Sequence, residues 1–239
     1  RVIDDTHLWS ERYDRDIEDI FSVQSEIAEQ VAQQLDLTVL EPERRSLNAR
    51  PTENLEAYDN YLQGREHEER GWAHSDAEEF KRAIEMLVRA TKLDPGFTLA
   101  YVRISYIHSR MYFFGVDRTE ERLARSRAAV DKALELQPDL PEAHQALAFN
   151  YYWGLSDYDR AAEIFESVQK ARPNFDPQLL GYIQRRQGKW KQCLETLEKA
   201  FRINPRDTQI AYETGGANIS MHRYEQAEEW FNRALSIYP

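Results

Sequence analysis

Six histidines, one cysteine and several carboxylate runs are the residues in this chain that could do chemistry. His7, His67, His74, His108, His144 and His222 show no HExxH-type ligand spacing. His67 and His74 lie near Glu66, Glu68 and Glu69. That grouping suits at most a weak surface metal site, and a solvated helix end explains it better. A single cysteine, Cys193, excludes a cysteine-rich zinc centre and any intrachain disulfide. A nucleophilic thiol needs an exposed, electropositive setting. The carboxylates of EHEER and DAEEF are read as running along polar faces. Paired-carboxylate catalysis needs groups that converge in a cleft. The glycines form no phosphate loop. The expectation is therefore a non-enzymatic chain with no catalytic residue, no metal and no cofactor.

Composition narrows the remaining classes. The 239 residues carry 31 Lys and Arg against 42 Asp and Glu, a formal charge of −11. Such a chain offers no global field to a phosphate backbone or an anionic bilayer, so neither nucleic acid nor a membrane surface is the expected partner. No apolar run approaches the roughly 18 residues that a spanning helix needs. The sequence starts at Arg1 rather than Met, which reads as an excised fragment. The expected location is the cytoplasm, or the periplasm if a span precedes this region in a longer parent.

What must position any binding residues is a repeat. Prolines at 95, 138, 173, 205 and 239 follow one another at 43, 35, 32 and 34 residues. Five residues before each stand Ala90, Ala133, Val168, Ala200 and Ala234; eight before, Leu87, Val130, Phe165, Leu197 and Phe231. Twelve before stand Ala83, Ser126, Ala161, Cys193 and Ala227. Small–large–small at steps of four and three is one stripe of a helix. Proline ends that helix, because it lacks an N–H and pushes its predecessor out of helical dihedrals. Cys193 falls in the small-residue column and is read as a packing thiol. Upstream, Gly181, Gly215 and Ala148 mark a first helix crossing the second at close range. Gly188-Lys189-Trp190, Ser156-Asp157-Tyr158 and His222-Arg223-Tyr224 supply the turns between the two.

This pattern resembles the tetratricopeptide repeat, a helix–turn–helix unit of 34 residues. One hairpin cannot bury its own apolar face, so the units must stack. The expected fold is all-α: about five units at 54–95, 96–138, 139–173, 174–205 and 206–239. The resemblance implies a right-handed superhelical solenoid. The second unit carries an insertion of about nine residues around MYFFGVDRTEER, judged against that period.

In tetratricopeptide arrays the first helix of each unit lines a concave groove. Carried over, that geometry nominates Tyr106 and Arg110 in the second unit and Gln145, Phe149, Tyr152 and Trp153 in the third. In the fourth it nominates Tyr182, Arg185 and Arg186, and in the fifth Tyr212. Aromatics and arginines dominate binding hot spots, although aromatics at helical spacing also serve as interhelical packing. The Arg185-Arg186 pair points to an acidic or carboxylate-bearing protein or peptide ligand. The Lys/Asn/Arg clamp of chaperone-binding arrays has no counterpart here. Extended or helical apolar segments fit the groove better.

Residues 1–49 lie outside the repeat. Arg1–Asp4 reads as a residual strand within a 1–15 linker, and 16–49 as an amphipathic linker whose helix spans about 16–36. The string DTHLWSERYDRDIEDIFSVQSEIA, followed by PTENLEAYDNYLQGR, resembles the junction after a TolB-like domain in bacterial multidomain signalling proteins. Class III adenylate or guanylate cyclases are among them. That resemblance implies a regulatory scaffold downstream of an output domain. The alternatives are a homodimerisation module, which would seal the apolar flank at 230–239, and a small-ligand sensor that uses the groove.

Overall fold

A computed structural model describes residues 20–34, 49–74, 76–172 and 175–238. Among these residues all regular structure is helical. The helices are α1 (Ile20–Gln34), α2 (Leu55–His74), α3 (Ala77–Leu93), α4 (Thr98–Phe113), α5 (Glu120–Leu136), α6 (Pro141–Phe149), α7 (Tyr158–Ala171), α8 (Pro177–Arg186), α9 (Trp190–Ile203), α10 (Thr208–Ser220) and α11 (Tyr224–Ile237). The expected 1–15 strand and linker, the helix flanks beyond 20–34, and Pro173 and Pro239 lie outside the described residues.

The punctuation works as the proline chemistry demands. Asp94, Gln137, Arg172, Asn204 and Tyr238 each precede a proline and end a helix. Each has φ between −128° and −140° and ψ between 82° and 97°. The N–H of each bonds back to the carbonyl of Ala90, Ala133, Val168, Ala200 or Ala234. Starts are capped locally. Asp76, Thr119, Asp157 and Asp207 accept from backbone N–H groups two or three residues on. Pro141 and Pro177 open α6 and α8, where a missing N–H costs nothing.

Helices pack consecutively as hairpins, α2 with α3 through α10 with α11, and each hairpin rests on the next. The repeat columns form the seam. Ala83, Ser126, Ala161 and Cys193 are wholly buried, as are Leu87, Val130, Phe165 and Leu197. The large residue of each seam packs on a small residue of the first helix. A Cβ added at Gly181 would meet the Leu197 side chain at 2.9 Å, and one at Gly215 would meet Phe231 at 2.6 Å. The inter-helix turns share one backbone solution: Ser156, Gly188 and His222 all take positive φ, at 54°, 73° and 59°.

The second hairpin solves its seam with polar atoms. Ser126 Oγ donates to the Ser105 carbonyl at 2.9 Å and lies 2.7 Å from Ser109 Oγ. Asn150 Nδ2 donates to the same Oγ at 3.1 Å. All four side chains are buried and all are partnered, so the network fixes register without an orphaned group. Immediately after α6 the chain continues as a π-helical turn, Asn150–Leu155. Such a turn inserts one residue and re-aims those that follow it.

Candidate functional site

The first helices of the five hairpins, α2, α4, α6, α8 and α10, stand side by side, and side chains link each to its neighbour. From α2 to α4, Arg103 Nε lies 2.6 Å from Glu68 Oε2, and the Arg110 guanidinium sits 3.8 Å above the Trp72 ring. From α4 to α6, Tyr106 meets Phe149 and Trp153 edge-on at 5.1 and 5.3 Å. From α6 to α8, Gln145 Nε2 donates to Asp176, and Arg186 Nε donates to the Tyr152 hydroxyl at 3.4 Å. From α8 to α10, Arg185 is ion-paired with Glu213.

Cross-helix contacts thus link Tyr106, Arg110, Gln145, Phe149, Tyr152, Trp153, Arg185 and Arg186 to neighbouring hairpins, and the nominated residues take different parts. Phe149 and Tyr152 are buried and build the wall from behind. Trp153 stacks on Phe149 at 4.1 Å with ring planes 15° apart and stays half-buried. Tyr106 and Tyr182 are half-buried, and burial raises both phenol pKa values. Tyr212 is the open member, 58% exposed, with its ring 5.5 Å from Phe231. Arg185 spends its charge on Glu213, whereas Arg186 is exposed and lies 5.5 Å over the Phe113 ring. Among the described residues no carboxylate stands within ion-pair distance of Arg110 or Arg186.

Two acidic residues of this wall escaped the sequence reading. Glu68, expected on a solvated polar face within EHEER, is only 2% exposed. Burial raises its pKa, while Arg103, Arg110 and the Trp72 indole pull the other way. An isolated carboxylate would not tolerate that site; two arginines from the next hairpin make it tolerable. Asp176 reaches from the start of α8 to Gln145, and its Oδ1 is buried without a hydrogen-bond partner. Burial pushes its carboxyl up to about 6. Helical periodicity carries no signal for either, since both partners come from neighbouring hairpins.

His67 and Cys193 serve packing. His67 Nδ1 lies 2.7 Å from Glu79 Oε2 and braces α2 on α3. Cys193 is wholly buried, and burial pushes its thiol up to about 11, the opposite of an activated nucleophile. Among the described residues no group of three or more His, Cys, Asp and Glu is placed to hold a metal ion. No described helix is long and apolar enough to cross a membrane.

Comparison with known proteins agrees with this architecture. The family described as anaphase-promoting complex, cyclosome, subunit 3 matches residues 155–234. A Rhizobium meliloti (strain 1021) protein provisionally named adenylate cyclase 3 is 31% identical over 159 residues. The match takes in 64% of this chain and only 26% of that protein. Among solved structures, a thermophilic TPR protein of Thermus thermophilus superposes with a TM-score of 0.63 at 14% identity, covering 77% of this chain and 92% of that one. The type IV pilus biogenesis factor PilW gives 0.59 at 16% identity, covering 77% and 78%.

Proposed function

The chain is a tetratricopeptide-repeat solenoid, an interaction scaffold by fold, and from that premise we propose that its inner wall binds a polypeptide segment. The observation that carries the reading is the wall itself. The second to fifth hairpins present half-buried Tyr106, Trp153 and Tyr182 and exposed Arg186 and Tyr212 from three first helices and the π turn. Rigid aromatics of this kind give large contact area at little entropic cost. The scaffold is non-enzymatic and works in the cytoplasm as the regulatory region of a larger bacterial signalling protein. The Rhizobium meliloti relative supports a cyclase output domain in that parent.

The groove is tested by selecting peptides on the whole chain from a displayed random library and titrating the best binder calorimetrically. Tyr182→Ala and Tyr212→Ala should each weaken it about tenfold with unchanged helical content. Affinity unmoved in both variants would sink the groove assignment. Cyclase assays on the parent with and without residues 50–239 test the regulatory role.

An assembly role is favoured by a different observation. The outward face of α11 leaves Leu235 61% and Tyr238 78% exposed and Phe231 only half-buried. Light scattering that stays monomeric at high concentration would remove this second reading.

A further inference from the structure

Among the first helices, α2 has 20 residues and α4 has 16, against 9 in α6 with 6 more in its π turn, 10 in α8 and 13 in α10. The last turns of α2 and α4 carry Trp72 and Phe113 on the ledge where first helices turn into second helices. Aromatic rings cover that ledge in an unbroken contact series. Trp72 lies 5.7 Å from Phe114, Phe114 lies 5.1 Å from Phe113, and Phe113 lies 6.2 Å from Trp153. The series crosses from α2 through the inserted loop to the π turn, which delivers Trp153 to it.

This strip is open and locally cationic. Phe114 is 57% exposed, and Leu155, which ends the π turn carrying Trp153, is 53% exposed. The Arg110 guanidinium lies over Trp72 at one end, and that of Arg186 lies over Phe113 within the series. Arg103 and Arg185, on the same helices, are each matched by a carboxylate, Glu68 and Glu213. Arg110 and Arg186 stack on π faces and have no carboxylate within ion-pair distance among the described residues; half-buried Arg110 also offsets part of the Glu68 charge, so exposed Arg186 is the less compensated of the two. A guanidinium stacked on a ring has its edge preorganised for an incoming carboxylate.

We propose that this ledge is a second docking surface, and that its occupant is a peptide segment with an aromatic or leucine anchor flanked by carboxylates. The anchor covers Phe114 while the flanking acids reach the exposed Arg186 guanidinium and the edge of Arg110. A basic segment would be repelled by both arginines at contact. An apolar segment without acids would leave them desolvated and unpaired. The chain's charge of −11 repels acidic partners at long range, so selection acts at contact distance. The proposal rests on the polypeptide-binding reading and shares Trp153 and Arg186 with the groove wall; Phe114 belongs to the ledge alone and Tyr212 to the groove alone.

The experiment titrates the whole chain calorimetrically with the synthetic peptide EDFLEELD, capped at both ends, and with its counterpart bearing lysine at every acidic position. The acidic peptide should bind, and the lysine version should bind at least about tenfold more weakly. Phe114→Ser, a change at an exposed position, should weaken the acidic peptide about tenfold with an unchanged melting temperature. Arg186→Gln should weaken it about fivefold and flatten the salt dependence. Equal binding of the two peptides, or no binding of either at about 1 mM, overturns the ledge. If Tyr212→Ala abolishes binding while Phe114→Ser leaves it intact, the peptide sits in the groove; the ledge falls and the groove reading survives.

Discussion

Acidification should destabilise this fold through one buried histidine. His108 is 2% exposed within the second hairpin, and Arg122 Nη1 donates to its Nδ1 at 2.9 Å. Burial pushes its pKa from 6.5 down to about 3, with Arg122 and Arg125 adding to the shift and Asp117 opposing it. In the unfolded chain the imidazole binds a proton near pH 6.5; in the fold it does not. The stability it carries is thus complete above pH 6.5 and lost as pH falls towards 3. At pH 5 the unfolded state gains about 1.5 pH units of proton binding over the folded state, a loss of about 2 kcal/mol.

The wild-type profile hides this loss, because Asp176 titrates in the opposite sense. Its folded pKa is raised from 3.8 to about 6, so its charged form strains the fold above pH 6 and relaxes on acidification. Between pH 7.5 and 5 that relief amounts to about 1.4 kcal/mol. The perturbation that separates the two is His108→Asn, whose side-chain oxygen still accepts from Arg122. Urea unfolding followed by circular dichroism at pH 7.5 and 5.0 reads the difference. Wild type should lose under about 1 kcal/mol on acidification, and the variant should gain about 1.4 kcal/mol. Equal slopes in the two proteins, or a His108 Cε1 proton resonance that titrates above pH 5, would refute the reasoning.

Asp176→Asn keeps an acceptor for Gln145 while removing the buried charge. It should stabilise the chain by about 3 kcal/mol at pH 7.5 and by nothing below pH 4, as read by the same unfolding curves. Gly215→Ala drives a methyl into Phe231 and should cost about 1–3 kcal/mol. Gly216→Ala next to it meets nothing within 4 Å and should gain about 1 kcal/mol; paired thermal melts decide both. Cys193 should stay unreactive to an aromatic disulfide reagent in native buffer at pH 8 and react on unfolding. A native rate equal to the unfolded rate would contradict its burial.

The repeat was legible because its physics is local. A proline forces its predecessor out of helical dihedrals wherever it stands, and Asp94, Gln137 and Asn204 show the same extended geometry. The small–large–small columns could be read for the same reason. The seam of each hairpin is formed by residues a fixed number of positions apart, and Leu87, Phe165 and Leu197 are wholly buried there. The nomination of Tyr106, Trp153 and Arg186 rested on helical phase together with a family resemblance, and a ring contact joins the first two.

Tertiary structure decided which of those side chains remain available. Phe149 and Tyr152 share their helical stripe with Trp153 and all three touch Tyr106 or Phe113 of the preceding hairpin, yet only the first two are fully buried. Arg185 and Arg186 are adjacent and identical in sequence terms. Glu213, one hairpin along, neutralises the first and leaves the second exposed. Glu68 reads as a solvated acid because its neighbours in EHEER are polar, and nothing in the sequence around Asp176 marks it as buried. The arginines, tyrosines and glutamine that surround them arrive from other hairpins, 31 to 42 residues away in the chain for Gln145 and Arg110. Burial, charge pairing and exposure depend on what the next unit brings, and only stacking brings it.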